Sequence, residues 1–185
     1  TTLYLGQNNI VDLAPLAQLS QLEALYLADN QLADLTPLAS LSQLHTLYLD
    51  NNRVQDLTPL ASLQNLTILY ANYNLIGHGD ALSALPPLPQ VYLAHNQLPS
   101  VPRFQPQLTH LGLSNNRLTD SRPIARQVNL VELDLSHNRL PTLAPLGELH
   151  QLTHLDGRNN PLESKTCPVF PATVCLFTDD AATQV

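Results

Sequence analysis

The sequence predicts an α/β repeat solenoid, a right-handed superhelix with a parallel β-sheet on the concave face and short 3₁₀ or irregular segments on the convex face. Three observations carry this. First, a single frame of Leu and Asn runs through the chain and places Asn8, Asn30, Asn52, Asn74, Asn96, Asn116, Asn138 and Asn160 at separations of 22, 22, 22, 22, 20, 22 and 22 residues; a fixed period of this length marks stacked supersecondary units. Second, Leu44, Leu47, Leu49, Asn52 and Val54 give L-x-x-L-x-L-x-x-N-x-V, a short alternating strand followed by a turn residue. Third, the early repeats close with Asp-Leu-x-Pro-Leu, and a proline there fixes φ and removes a donor, which disfavours a long return helix.

The frame predicts one elongated domain over residues 1–163, about eight coils with a truncated first one, and a C-terminal cap and tail over 164–185. Each coil touches only its neighbours. The first coil begins with Leu3 and Leu5 already in strand positions. Asp12 to Leu16, Asp34 to Leu38 and Asp56 to Leu60 form thin convex returns of 3₁₀ or single-turn type. In the fourth coil Ala71 takes a strand leucine position and Gly77-His78-Gly79-Asp80 replaces the Asp-Leu-x-Pro turn, so the two glycines are expected to loosen it. The fifth coil is shorter, with Leu98-Pro99-Ser100-Val101-Pro102, and a slight bend is expected between residues 76 and 107. After Asn160 the frame stops at Pro161-Leu162, and the segment holding Cys167-Pro168 and Cys175 lacks a repeat signature.

The 22-residue form with its D-L-x-P-L return resembles the internalin-type leucine-rich repeats of bacterial surface proteins, over about residues 3 to 163. The fifth coil resembles the L-P-x-L-P repeats of some secreted bacterial effectors. The run from Asn160 through Cys167-Pro168 to Cys175 and Phe177 looks like the tail that closes repeat proteins of this kind in cyanobacteria and related bacteria. Leucine-rich repeat domains as a class bind proteins on the concave sheet, and the resemblance implies the same here.

Composition narrows the alternatives. The chain has 8 Lys and Arg against 15 Asp and Glu, a formal charge of −7, and Lys165 is its sole lysine. It lacks the basic stripe that nucleic-acid binding needs. The charge is uneven, with residues 1–92 holding Arg53 against seven acids. No apolar run reaches the roughly 18 residues of a membrane span. There is no G-x-S-x-G, no H-E-x-x-H and no phosphate-binding glycine loop, so no cofactor and no catalytic residue is expected.

Alternate strand side chains share a face, so the x positions between the leucines form columns pointing to solvent. The central column reads Tyr4, Tyr26, Tyr48, Tyr70, Tyr92, Gly112, Asp134, Asp156. Tyrosine suits strands in any duplicated repeat. It also supplies rigid area and a hydroxyl at low entropy cost, a combination enriched at interfaces. Tyr73 lies on the same side, and Asp29 and Asp50 border the strip. With Arg53 and His95 these tyrosines form the candidate surface for a protein partner. Two residues upstream in each coil, His110, Glu132 and His154 stand beside Asp134 and Asp156. This is read as a solvated polar face rather than a metal site, because a flat sheet does not enclose an ion.

Three functions from different classes follow: a non-catalytic protein-binding module, a structural subunit of a larger assembly, and a metal-dependent enzyme using the His110, Glu132, His154 patch. The first is favoured. Cys167 and Cys175 lie eight residues apart in the segment that must cover the terminal leucine column. They are expected to form a disulfide that staples it, which places the protein outside a reducing cytosol. The alternative is a pair of small buried hydrophobes in a cytoplasmic protein.

Overall fold

The computed structural model describes residues 1–178, so the last part of the expected tail, 179–185, lies outside the described residues. The chain winds as a solenoid around one parallel sheet of nine strands in sequential order. These are β1 (Thr2–Tyr4), β2 (Ala24–Tyr26), β3 (Thr46–Tyr48), β4 (Ile68–Tyr70), β5 (Gln90–Tyr92), β6 (His110–Gly112), β7 (Glu132–Asp134), β8 (His154–Asp156) and β9 (Cys175–Leu176). Each strand sits in register with the next, so equivalent positions of successive coils stack, as in Leu25 on Leu47 on Leu69. The leucines between and beside the outward positions form one continuous core, with Leu25, Leu47, Leu69, Leu111 and Leu133 all essentially inaccessible.

The returns are 3₁₀ turns, as the prolines require: Ala14–Leu16, Thr36–Ser40, Thr58–Ser62, Arg122–Arg126 and Ala144–Leu146. Aspartate explains where they start. Asp12, Asp34 and Asp56 each accept, through Oδ1, the backbone N–H two residues ahead at 2.8 Å, which folds the chain into the turn before proline fixes φ. Ser40 and Ser62 then donate to backbone carbonyls of the preceding coil, Ala17 at 2.6 Å and Ala39 at 2.8 Å.

The asparagine column joins coil to coil. In coil after coil one amide pairs backbone groups that the sharp turn would otherwise leave unsatisfied. Asn96, for example, accepts from the Ile76 amide at 3.0 Å and donates to the Ala71 carbonyl at 2.9 Å. Asn30, Asn52, Asn96, Asn116 and Asn138 are all buried, as expected. Immediately before each column member the backbone enters the left-handed region, at Gln7, Asp29, Asn51, Tyr73, His95, Asn115, His137 and Asn159.

Two places depart from the regular frame. In the fourth coil neither glycine has positive φ, and a 3₁₀ turn forms at Asp80–Ser83. Gly79 is there for closeness, because a Cβ at that position would overlap the ring of Pro102 from the next coil. The segment after Asn160, although it lacks the repeat signature, adds a ninth strand, with Cys175 registered on Leu155 and Leu176 on Asp156. Val169 and Val174 are buried beneath it. Gly157 makes room, since a Cβ there would lie 3.1 Å from the Phe177 ring and 2.6 Å from Leu143 Cδ1. Cys167 and Cys175 are disulfide-bonded.

Candidate functional site

The outward column of the sheet is built by register alone. Strands about 4.8 Å apart with tyrosine at the same position must bring the rings face to face. Tyr4 stacks on Tyr26 with centroids 4.5 Å apart, Tyr26 on Tyr48 at 4.6 Å, Tyr48 on Tyr70 at 4.3 Å and Tyr70 on Tyr92 at 4.3 Å. The rings are close to parallel, within 7° for Tyr48 and Tyr70. Tyr4 at the open end is 72% exposed, whereas Tyr26, Tyr48, Tyr70 and Tyr92 are half-buried by one another.

Burial raises the Tyr48 and Tyr70 phenols above their ordinary value, helped by the neighbouring phenols of the stack. Tyr26 moves the same way for the same reasons. The ladder presents apolar faces and hydroxyl edges, a surface suited to shape-dependent contact.

The other expected site residues lie at or near this strip in different ways. Tyr73 is not on a strand: it occupies a left-handed turn at φ 52° and stacks on His95 with centroids 3.9 Å apart, a second, shorter ring pair. Asp29 is exposed and accepts the Asn51 amide at 2.6 Å. Asp50 is half-buried and accepts the Asn72 backbone N–H at 2.7 Å; desolvation nonetheless raises its carboxyl. Arg53 is exposed on the stretch after the strand, its backbone N–H bonded to the Leu32 carbonyl at 2.8 Å.

In the second half, His110, Glu132 and His154 are registered side by side, with His110 Nε2 3.9 Å from Glu132 Oε1. Asp156 departs from the solvated face expected for it. It is 5% exposed, covered by the strand that the cap adds, and its Oδ2 lies 2.6 Å from Arg158 Nη2. A buried carboxylate is stable only with such a partner. Among the described residues no three His, Cys, Asp or Glu side chains converge as ion ligands.

Sequence reasoning did not single out Gly112 or Asn72. The tyrosine column breaks at Gly112, and the break opens a hollow of about 340 Å³ between Tyr92 and Asp134, walled by Tyr73 and His95 and by Glu132 and His154. The gap was visible in the column, but its depth depends on how the Tyr92 ring leans. Asn72 links coils by accepting the Ala94 backbone N–H at 2.8 Å, which holds the turn that carries Tyr73.

A family model described as "Leucine Rich repeats (2 copies)" matches residues 1–40 and 42–90, and one described as "Leucine rich repeat" matches residues 106–162. No curated protein sequence gives a significant match. The structure resembles an internalin, InlF, of Listeria monocytogenes, with 30% identity, 85% of this chain and 47% of that chain covered and a TM-score of 0.80. Internalin C2 of the same organism is 25% identical, with 96% and 80% covered and a TM-score of 0.86. The leucine-rich repeat ectodomain of the Arabidopsis thaliana membrane receptor kinase GASSHO1/SCHENGEN3, solved in complex with Casparian strip integrity factor 2, is 27% identical over 86% of this chain and 21% of that chain, with a TM-score of 0.73. The chain spans about half the length of InlF. Among the described residues no helix is long and apolar enough to cross a membrane.

Proposed function

This chain belongs to the leucine-rich repeat family, and on that premise we propose that it is a non-catalytic module of a bacterial protein that binds a protein partner on its concave sheet through the tyrosine ladder. The observation that carries the reading is the unbroken stack from Tyr4 to Tyr92. Five phenols fixed by register present a large aromatic surface whose ordering cost is met in folding, so little side-chain entropy remains to be lost on binding. Aromatic anchors of this kind dominate interface energetics.

Asp29 and Asp50 supply an acidic border that biases the partner toward basic contacts. Tyr73 and His95 extend the surface toward the turn edge. The plant receptor ectodomain was solved with a bound partner, and a similar use of the same kind of scaffold fits the ladder. The disulfide of the cap and the likeness to internalins support an extracytoplasmic location, where such bridges persist.

Cross-linking pull-down from the source organism, with the parent chain and the Tyr48→Ala, Tyr70→Ala double variant, tests the reading. Loss of the captured protein from the double variant, with cooperative unfolding of the repeat fold retained, is the expected result. Equal capture by both would overturn it.

A further inference from the structure

We propose that the break in the ladder at Gly112 is a slot for an arginine side chain of the protein partner. This rests on the concave-face reading above and adds the chemistry that the face selects. Gly112 is registered between Tyr92 and Asp134, so the backbones that carry an aromatic ring and a carboxylate stand about two strand spacings, roughly 10 Å, apart, and the residue between them adds no side chain of its own. That gap admits one planar group stacked on the phenol ring and hydrogen-bonded to the carboxylate.

The requirements of the slot are those of a guanidinium group. It is planar, stacks on aromatic faces, carries its charge at any physiological pH and presents a fork of donors. Tyr70 covers one face of Tyr92 at 4.3 Å, and the other leans over Gly112, where a Cβ would come within 3.0 Å of Tyr92 Cδ1. Asp134 accepts the Ser136 backbone N–H through Oδ1 at 2.9 Å, which fixes the carboxylate in place. Glu132 lies on the same face two residues earlier.

Arg158 does not fill the role, because it is held by Asp156. Asp134 and Glu132 both line the hollow, Glu132 with His110 Nε2 3.9 Å away, in a chain of formal charge −7. An apolar ring in the slot would desolvate them without pairing. A lysine would gain the charge but not the stacked, forked geometry.

The test is a titration of ¹⁵N-labelled protein with N-acetyl-arginine N-methylamide and, in parallel, with the citrulline analogue, which is neutral but nearly isosteric. The proposal predicts saturable amide shifts at Gly112 and Ser114 with the arginine probe only, weakened by added salt and about tenfold by Asp134→Asn, a variant that keeps an acceptor for Ser136. Equal shifts from citrulline, or no saturable change at Gly112, would overturn it. In that event the effect of the tyrosine variants on partner capture still stands or falls by itself, so the slot can fail while the wider reading survives.

Discussion

Asn52 Oδ1 accepts the Leu32 backbone N–H of the preceding coil at 2.9 Å, while its Nδ2 donates to the Leu27 carbonyl at 3.0 Å. One side chain thus closes two backbone groups of its neighbour. Asn52→Leu leaves the Leu32 N–H buried and unpaired, while the Leu27 carbonyl keeps its bond from Asn30 Nδ2 at 3.0 Å, and is expected to cost about 1 to 3 kcal/mol, read as a lower melting temperature. Asn8→Leu is the control, because the Asn8 side chain bonds within its own coil, at the Leu5 and Gly6 carbonyls, and is exposed. It should have little effect.

Tyr73 holds a left-handed conformation that a tyrosine adopts at a cost and an asparagine more readily. Tyr73→Asn is therefore expected to leave the melting temperature unchanged or raise it, although the stack on His95 is lost. If Tyr73 serves binding, the same variant weakens partner capture. A clear drop in stability would assign the residue to the scaffold instead.

The carboxylates answer pH in opposite directions. Asp34 and Asp56 are held below their ordinary value, first by the hydroxyls of Thr36 and Thr58 and then by the backbone N–H groups there, so they contribute stability above the ordinary carboxylate range that is lost as pH falls through their folded values. Asp50 is raised by burial, so its contribution is present at low pH and lost as pH rises through its folded value. Asp50→Asn should raise the melting temperature at pH 7, and the gain should shrink as pH falls through the raised folded value and be gone below about pH 4. A gain that persists undiminished at pH 3 would contradict this.

Much of this was legible in the sequence because register makes it so. Once Asn30, Asn52 and Asn74 fix the period, Tyr26, Tyr48 and Tyr70 must stack, and the amide column must bury itself against the neighbouring coil. What was not legible depends on contacts outside the frame. Asp156 looked solvated like Asp134, since nothing in its own repeat announces the strand that covers it; the apolar run Val174-Cys175-Leu176-Phe177 was the available signal. The close approach of Gly79 to Pro102 was not legible either, because Pro102 belongs to an irregular coil whose path the period does not set.

The cap contributes its own expectation. Breaking the bridge with Cys167→Ser and Cys175→Ser frees a short loop and is expected to cost about 2 to 3 kcal/mol by the chain-entropy account. Local protection from hydrogen exchange at Leu176 and Gly157, whose N–H donates to the Leu176 carbonyl at 2.9 Å, should fall first. Uniform loss across the coils would place the bridge in the global fold rather than the cap.

The central claim is that the stacked tyrosines bind a protein partner, and the affinity of the captured partner for single variants tests it most directly. Tyr48→Ala and Tyr70→Ala should each weaken binding by about 1 to 4 kcal/mol, with only a modest fall in melting temperature from the lost ring stacking. Asp12→Ala and Asp120→Ala, on the convex returns, should leave affinity at the parental value. Convex variants that weaken binding more than the tyrosine variants would contradict the claim.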